Sequence, residues 1–211
     1  MGLEFVDLFD HWAESYDQSV SGNDLEYREV FSHYDDILQA VAKLVEGNIV
    51  EFGVGTGNLT QKLVEKSCNV VGFEPSSSMR EIAKNKLFQV QIEEGDFLHF
   101  KTMQTINGFV STYAFHHLTD SEKAEAISLY RKCLIKGGKV VFADTIFESE
   151  SHKLQAIKNA QQQGFLNLAK DLETEYYTTI PVLKAVFHKH DFHVLFKQLN
   201  PFVWLIDATK L

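Results

Sequence analysis

Cysteine is scarce in this chain. Cys68 and Cys133 are the only two in 211 residues, with neither a CxxC spacing nor a neighbouring histidine pair. That excludes a disulfide framework and a cysteine-built zinc knuckle, and reads as two buried thiols in a reducing compartment. Long apolar runs are missing as well, and nothing approaches the roughly 20 residues needed to cross a bilayer. Gly2-Leu3-Glu4-Phe5-Val6-Asp7 puts acids where a secretory leader needs a basic start and an apolar run. Positive charge is never clustered, so no basic face exists to replace the counterions of a nucleic acid. The expectation is a soluble, cytoplasmic protein with neither a nucleic-acid nor a membrane partner.

The charge that is present is unevenly spread. Residues 1–36 hold ten acids and a single base, Arg28, which accounts for the whole net charge of −9, and the remainder is formally neutral. Within 5–17, Phe5, Leu8, Phe9, Trp12 and Tyr16 recur at helical spacing, while Asp7, Asp10, Glu14 and Asp17 fall opposite. This predicts a helix with a solvated acidic face. Ser21-Gly22 breaks it, and Asn23 with Glu26 three positions on predicts a capping box opening a second helix through Val30, Tyr34, Ile37, Val41 and Leu44.

From Gly47 the pattern alternates between strand and helix. Strands are predicted at 48–51, 69–73, 89–93, 108–113 and 139–144, with helices at 59–66, from Ser78 to Lys86, and from Thr119 to just before Gly137-Gly138. The stretch 146–178 is less regular and helical in parts, and Pro181 suits the first turn of a helix ending near His190. Residues 192–199 and 202–208 read as two strands joined too tightly for a crossover, hence antiparallel. The implied fold class is α/β: a doubly wound, mostly parallel seven-stranded sheet with an antiparallel C-terminal strand pair and an N-terminal helical lid. One domain is expected, with 1–46 as the lid segment and 47–211 as the cofactor-binding core.

The strongest local signal is Glu51-Phe52-Gly53-Val54-Gly55-Thr56-Gly57-Asn58, at the end of the first strand and the start of a helix. Glycines there let the backbone approach a ligand closely, and the next strand ends in Glu74, a carboxylate suited to two ribose hydroxyls. Adenosine is common to nicotinamide dinucleotides and S-adenosylmethionine. The dinucleotide fingerprint wants its third glycine where Asn58 stands, and Glu51 two residues before the first glycine suits a positively charged ligand better than a diphosphate. A nicotinamide-dependent oxidoreductase therefore ranks second.

Glu51-x-Gly53-x-Gly55-x-Gly57, then Glu74, then Glu94-Gly95-Asp96-Phe97 resemble the successive motifs of class I S-adenosylmethionine-dependent methyltransferases. Phe9-Asp10-x-x-Ala13-x-x-Tyr16-Asp17, the segment Ser111–Leu118, and Leu134-x-x-Gly137-Gly138-Lys139 are similar to further segments of the small-molecule branch. In length and layout the chain looks like small bacterial methyltransferases of the YrrT type. The resemblance implies methyl transfer from S-adenosyl-L-methionine to a small-molecule acceptor by in-line displacement. It implies that Gly53 and Gly55 pass beside the methionine portion, that Glu51 just before them is also cofactor-binding, and that Glu74 binds the ribose. Asp96 would accept from the adenine amino group, Phe97 would offer its backbone N–H to the ring, and Tyr16 would reach over the cofactor. A protein that binds the cofactor without transferring its methyl group is the other alternative. Two departures from the family pattern are Asn107 and Asp191, where relatives carry Asp and Gly.

His116-His117 follows the fourth strand, and His116 is the candidate general base, because imidazole titrates near neutral pH. His117 and Asp144 are further candidates by their place at strand ends. No metal site is expected, since adjacent histidines face one ion poorly and no Cys, Asp or Glu accompanies them at ligand spacing.

Overall fold

The computed structural model describes Asp10, Ala13, residues 16–101 and residues 105–211. The helix predicted over 5–17 lies mostly outside the described residues. What is described of it is Asp10 in helical conformation, Ala13 in a turn, and a short helical run, Tyr16–Gln18, that continues into a π-type turn, Ser19–Asn23, with Gly22 at φ +88°.

The sheet has seven strands: β1 Asn48–Phe52, β2 Asn69–Phe73, β3 Gln91–Glu93, β4 Ile106–Thr112, β5 Leu134–Thr145, β6 Phe192–Gln198 and β7 Val203–Lys210. Their order is β3-β2-β1-β4-β5-β7-β6. The first five run parallel, and β7 pairs antiparallel with both β5 and β6. The chain therefore winds one way from β1 to β3 and the other from β1 to β4 and β5. The crevice where ligands bind in such sheets opens beyond the carboxyl ends of β1 and β4.

Alternation along the strands divides the core. Val50, Phe52, Val71, Phe73, Phe109, Val140 and Phe142 face one layer, where they meet α4 (Asp120–Cys133) and α7 (Ile180–Lys189). Ile49, Val70, Val110, Val141 and Ala143 face the other, under α1 (Tyr34–Lys43) and α2 (Asn58–Glu65). In the first layer Phe52, Phe109 and Tyr130 stack on one another, with ring centroids 5.7 Å (Phe52–Phe109), 4.3 Å (Phe109–Tyr130) and 5.4 Å (Phe52–Tyr130) apart. The Tyr130 hydroxyl donates to the Phe97 carbonyl at 2.9 Å, so this aromatic stack also fixes the turn after β3. α3 (Ser77–Lys86) follows β2, and α5 (Glu150–Gln163) with α6 (Leu166–Thr174) occupy the stretch 146–178, expected to be helical in parts.

Capping accounts for where several helices begin. The Thr119–Glu122 box opens α4 as predicted, and Pro181 sits in the first turn of α7. α3 starts earlier than predicted because Ser76 is its cap, accepting from the Met79 N–H. The box predicted at Asn23–Glu26 does not form, and the helix expected from it begins only at Tyr34. Its residues are used otherwise. Asn23 donates back to the Gln18 carbonyl and Ser21 hydroxyl, Asp24 accepts from the Glu26 N–H, and Glu26 accepts from Asn167 and Leu168 at the start of α6. Of the two departures from the family pattern, Asn107 accepts from the Asn48 N–H at 2.9 Å, tying β4 to β1, and Asp191 adopts φ +57°.

Glu26 is thus a cap supplied across more than a hundred residues. Removing it with Glu26→Ala leaves two first-turn amides of α6 without their carboxylate. The expected loss of about 1 kcal/mol corresponds to a fall of about 2–4 °C in melting temperature. Differential scanning calorimetry checks it, and an unchanged melting temperature contradicts the assignment.

Candidate active site

A cavity of about 660 Å³ opens at the carboxyl ends of β1, β2 and β4. Tyr16, Gly53, Gly55, Glu74, Asp96, Phe97 and His116 all line it. Glu51, the remaining residue expected at the site, does not. It lies buried on the face of β1 covered by α2, beside Thr60, and its Oε2 has no hydrogen-bond partner among the described residues. Burial pushes its carboxyl up to about 8, against the opposing effect of Thr60, so Glu51 carries its proton at neutral pH.

The loop after β1 follows from its glycines. Gly53, Gly55 and Gly57 have φ of +64°, +56° and +89°. A Cβ at Gly53 would come within 2.7 Å of Ala114, whereas one at Gly55 would meet no protein atom within 4 Å and project into open space. The loop is anchored from the next strand. Glu74 accepts from the Gly55 N–H at 2.8 Å through one oxygen and from the Ser76 N–H at 2.9 Å through the other. Burial raises this carboxyl to about 7, while those two amides and the Arg80 charge hold it down. Asp96 is organised in the same way after β3. Its Oδ1 accepts from the Leu98 and His99 N–H groups at 2.8 and 2.9 Å, which leaves a turn with Phe97 at the cavity wall.

The acids of the N-terminal segment correct the solvated-stripe expectation. Asp10 accepts from the Ser76 hydroxyl at 2.5 Å and the Ser78 N–H at 3.1 Å. Asp17 accepts from the Thr56 hydroxyl at 2.6 Å and Asn58 at 2.9 Å, with Lys86 at 3.7 Å. Both carboxyls are held below their ordinary value by those donors, which for Asp17 outweigh its burial. They are staples from the N-terminal segment onto the loops after β1 and β2. Helical periodicity showed the spacing of these acids but not their partners; Asp7 and Glu14 lie outside the described residues.

The far side of the cavity is built from parts distant in sequence. Tyr113, just after β4, takes φ +55° and packs against Phe31 and Tyr34, a strained backbone for an aromatic residue. Asp144, in β5, accepts from the His116 backbone N–H at 2.8 Å and lies 2.6 Å from its Nδ1. Glu175, just after α6, lies 3.2 Å from the Nε2 of the same ring. Burial alone would lower His116, but these two carboxylates raise it to about 10. His117 goes the other way, to about 3, through burial and the neighbouring His116 charge. With a carboxylate on each ring nitrogen, His116 keeps both its protons at neutral pH, the wrong state for the general base expected of it. Tyr177 stacks on the ring at 4.8 Å.

Three cations also hold the segment that carries Glu175. His116 pairs with Glu175, the buried Lys123 donates to the Tyr176 carbonyl at 2.7 Å, and Lys153 donates to the Tyr177 carbonyl at 3.4 Å. Tyr27 and Asp171, hydrogen-bonded to one another, add to the same wall together with Asp24 and Lys170. None of Glu175, Asp171 or Tyr27 carried a sequence signal, because each lies outside the strand–loop motifs and only tertiary folding brings it to the site.

A doubly wound sheet with a glycine loop after β1 and buried carboxylates at the loops after β2 and β3 defines the class I S-adenosylmethionine-dependent methyltransferase architecture. Comparison with known proteins agrees. Residues 49–138 match the family model described as a methyltransferase domain. The chain is 54% identical over its full length to full-length uncharacterized methyltransferases of Bacillus cytotoxicus and Bacillus mycoides. In structure it is similar to the magnesium protoporphyrin IX methyltransferase of Synechocystis PCC 6803 with bound S-adenosylhomocysteine. That match has a TM-score of 0.75 at 12% identity, covering 100% of this chain and 99% of the other. The chain belongs to the class I S-adenosylmethionine-dependent methyltransferases, and its cofactor is S-adenosylmethionine.

The protonated state of Glu51 has a measurable consequence. Between its unfolded value near 4.5 and its folded value of about 8, the native state holds a proton that the unfolded chain has released, so its contribution to stability falls as pH rises. Glu51→Gln removes that dependence. The variant should gain melting temperature relative to wild type between pH 5 and 8 and level off above; a difference that is flat with pH contradicts the buried, protonated state.

Proposed function

We propose that this methyltransferase acts on a small, neutral or cationic acceptor, held between the cofactor and the wall formed by Tyr27, Tyr113, Asp171, Glu175 and Tyr177. The observation that carries this reading is the shape and charge of the cavity. The cavity is half-enclosed, and besides Glu74 and Asp96 its lining carries Asp24, Asp171 and Glu175 against the cations Lys170 and His116. An anionic acceptor would meet a net negative lining there, since Lys170 and the His116 paired with Glu175 offset only part of these carboxylates.

In this reading the backbone at Gly53 and Gly55 passes beside the methionine portion of the cofactor, Glu74 binds the ribose, and Asp96 with the Phe97 N–H receives the adenine. Tyr16, carried by the N-terminal segment that Asp10 and Asp17 staple down, covers the cofactor as part of a lid formed by residues 1–46. The fit rests on three features of the chain: open space at the Gly55 Cβ position, a buried carboxylate at the ribose position, and room for a nucleoside with its amino-acid tail. When bound, the cofactor supplies a methyl group already activated on a sulfonium. The protein then has to hold the acceptor atom in line with that methyl and keep water out, and orientation of this kind is worth up to about 7–11 kcal/mol in well-aligned systems. His116 acts as a positioning residue in this scheme, bolting the Glu175 wall to the end of β5. Cytoplasmic location fits this reading, and among the described residues no helix is long and apolar enough to cross a membrane.

Thermal shift with S-adenosylhomocysteine tests the cofactor half. At about a hundred times its dissociation constant the ligand stabilises by about 2.7 kcal/mol, or roughly 5–10 °C. Glu74→Gln should weaken that affinity about 10- to 100-fold, as loss of hydrogen bonds to a charged group does, while the variant stays folded by circular dichroism. Gly55→Val should abolish the shift by filling the space beside the loop. Undiminished shifts in both variants would overturn the site. Turnover against neutral, cationic and anionic acceptors tests the other half, and preference for an anion would overturn the acceptor class.

A further inference from the structure

The grouping of His116, His117 and Glu175 goes beyond what the methyltransferase reading requires. One ligand atom from each, two imidazole nitrogens and a carboxylate oxygen, lie within 4.8 Å of one another. Both histidines are buried, and the Glu175 side chain is 10% exposed. All three line the cavity, so any remaining coordination position would face the acceptor. A second observation is the carboxylate behind the set. Asp144 grips His116 twice, at the backbone N–H and at Nδ1, which leaves Nε2 aimed at Glu175. A carboxylate on the far nitrogen of a histidine is the arrangement that orients metal-ligating imidazoles. The charges also balance: two neutral imidazoles with the carboxylates of Asp144 and Glu175 offset one divalent cation.

We infer that His116 Nε2, a ring nitrogen of His117 and Glu175 form a binding site for a divalent transition-metal ion of the zinc class, with Asp144 as the orienting partner of His116 and an open position toward the acceptor. Two histidines and one carboxylate are the ligand set of open zinc sites. Ligand atoms around such an ion stand about 3.3 Å apart, near the 3.2 Å already separating His116 Nε2 from Glu175. His117 has to close by at most about 1.5 Å from the 4.8 Å limit. The ion would take the place of the proton that His116 shares with Glu175. At this position it would bind a neutral acceptor through a hydroxyl or thiol and ease that group's deprotonation. The role given to the ion rests on the acceptor-chamber reading above, whereas the binding itself does not.

The site is tested on the full-length protein with Zn²⁺ and Co²⁺ alone as probes, by equilibrium dialysis with elemental analysis and by the visible spectrum of bound Co²⁺. Wild type should retain one equivalent per chain. Glu175→Gln and His117→Asn should each lose it, and Asp144→Asn should weaken it about 10- to 100-fold, the usual effect of removing an orienting partner. Circular dichroism and S-adenosylhomocysteine binding, measured on the same samples, separate loss of metal from loss of fold. Intact cofactor binding with no stoichiometric metal in wild type, or with metal content equal in wild type and Glu175→Gln, would overturn the metal site and leave the methyltransferase reading standing. A bound metal without cofactor binding would uphold the site and overturn the assignment of the cofactor residues.

Discussion

Burying a carboxylate is expensive unless backbone amides replace the lost water, and the Glu74 side chain meets that condition by spending both oxygens on loops. One accepts from Gly55 after β1 and the other from Ser76 after β2. Two loops that diverge from neighbouring parallel strands are thereby held at a fixed separation, and the crevice between them keeps its width. Much of the site is arranged around that link. Ser76 caps α3 and holds Asp10; Asp10 and Asp17 bring the N-terminal segment over the same loops; and Tyr16, one residue before Asp17, reaches the cavity wall.

A second constraint acts on the opposite side. Asp144 and Glu175, supplied by β5 and by the segment after α6, converge on the two nitrogens of one ring. The sheet would present Asp144 at its carboxyl edge in any protein of this topology, whereas Glu175 depends on how α5 and α6 fold back over the cavity. Lys123, held through the Leu118 and Tyr176 carbonyls, fastens that fold-back from beneath. The side of the cavity proposed for the nucleoside is thus built from strand-end loops, and the side proposed for the acceptor from a helical cap pinned by ionic contacts.

This division explains what could be read from sequence. Strand alternation and the glycine loop sufficed for the sheet, and the Thr119–Glu122 box and Pro181 marked two helix starts, because those signals are local. Seven of the eight candidate site residues line one cavity: six sit at a strand end or in the loop that follows, and Tyr16 is brought there by the N-terminal segment. Glu51 differs because strand alternation turns it to the covered face of β1. The failures have one physical source. Asn23 and Glu26 carry the residue types of a capping box, yet Glu26 caps α6 instead, and Asp10 and Asp17 look like a solvated stripe until the amides and hydroxyls they bind are brought up by folding. Likewise, His116 and His117 lacked an acid at ligand spacing in sequence, and Glu175 provides one only in three dimensions.

The central claim is that the crevice set by Glu74 holds the adenosine of S-adenosylmethionine, with the reacting methyl directed toward the His116–Tyr177 wall. A crystal structure of the complex with S-adenosylhomocysteine tests it most directly. The account predicts ribose hydroxyls on the Glu74 carboxylate, the adenine between Asp96 and Phe97, and the sulfur facing the chamber walled by Tyr113 and Glu175. Electron density for the nucleoside anywhere else, or a ribose that makes no contact with Glu74, would contradict it.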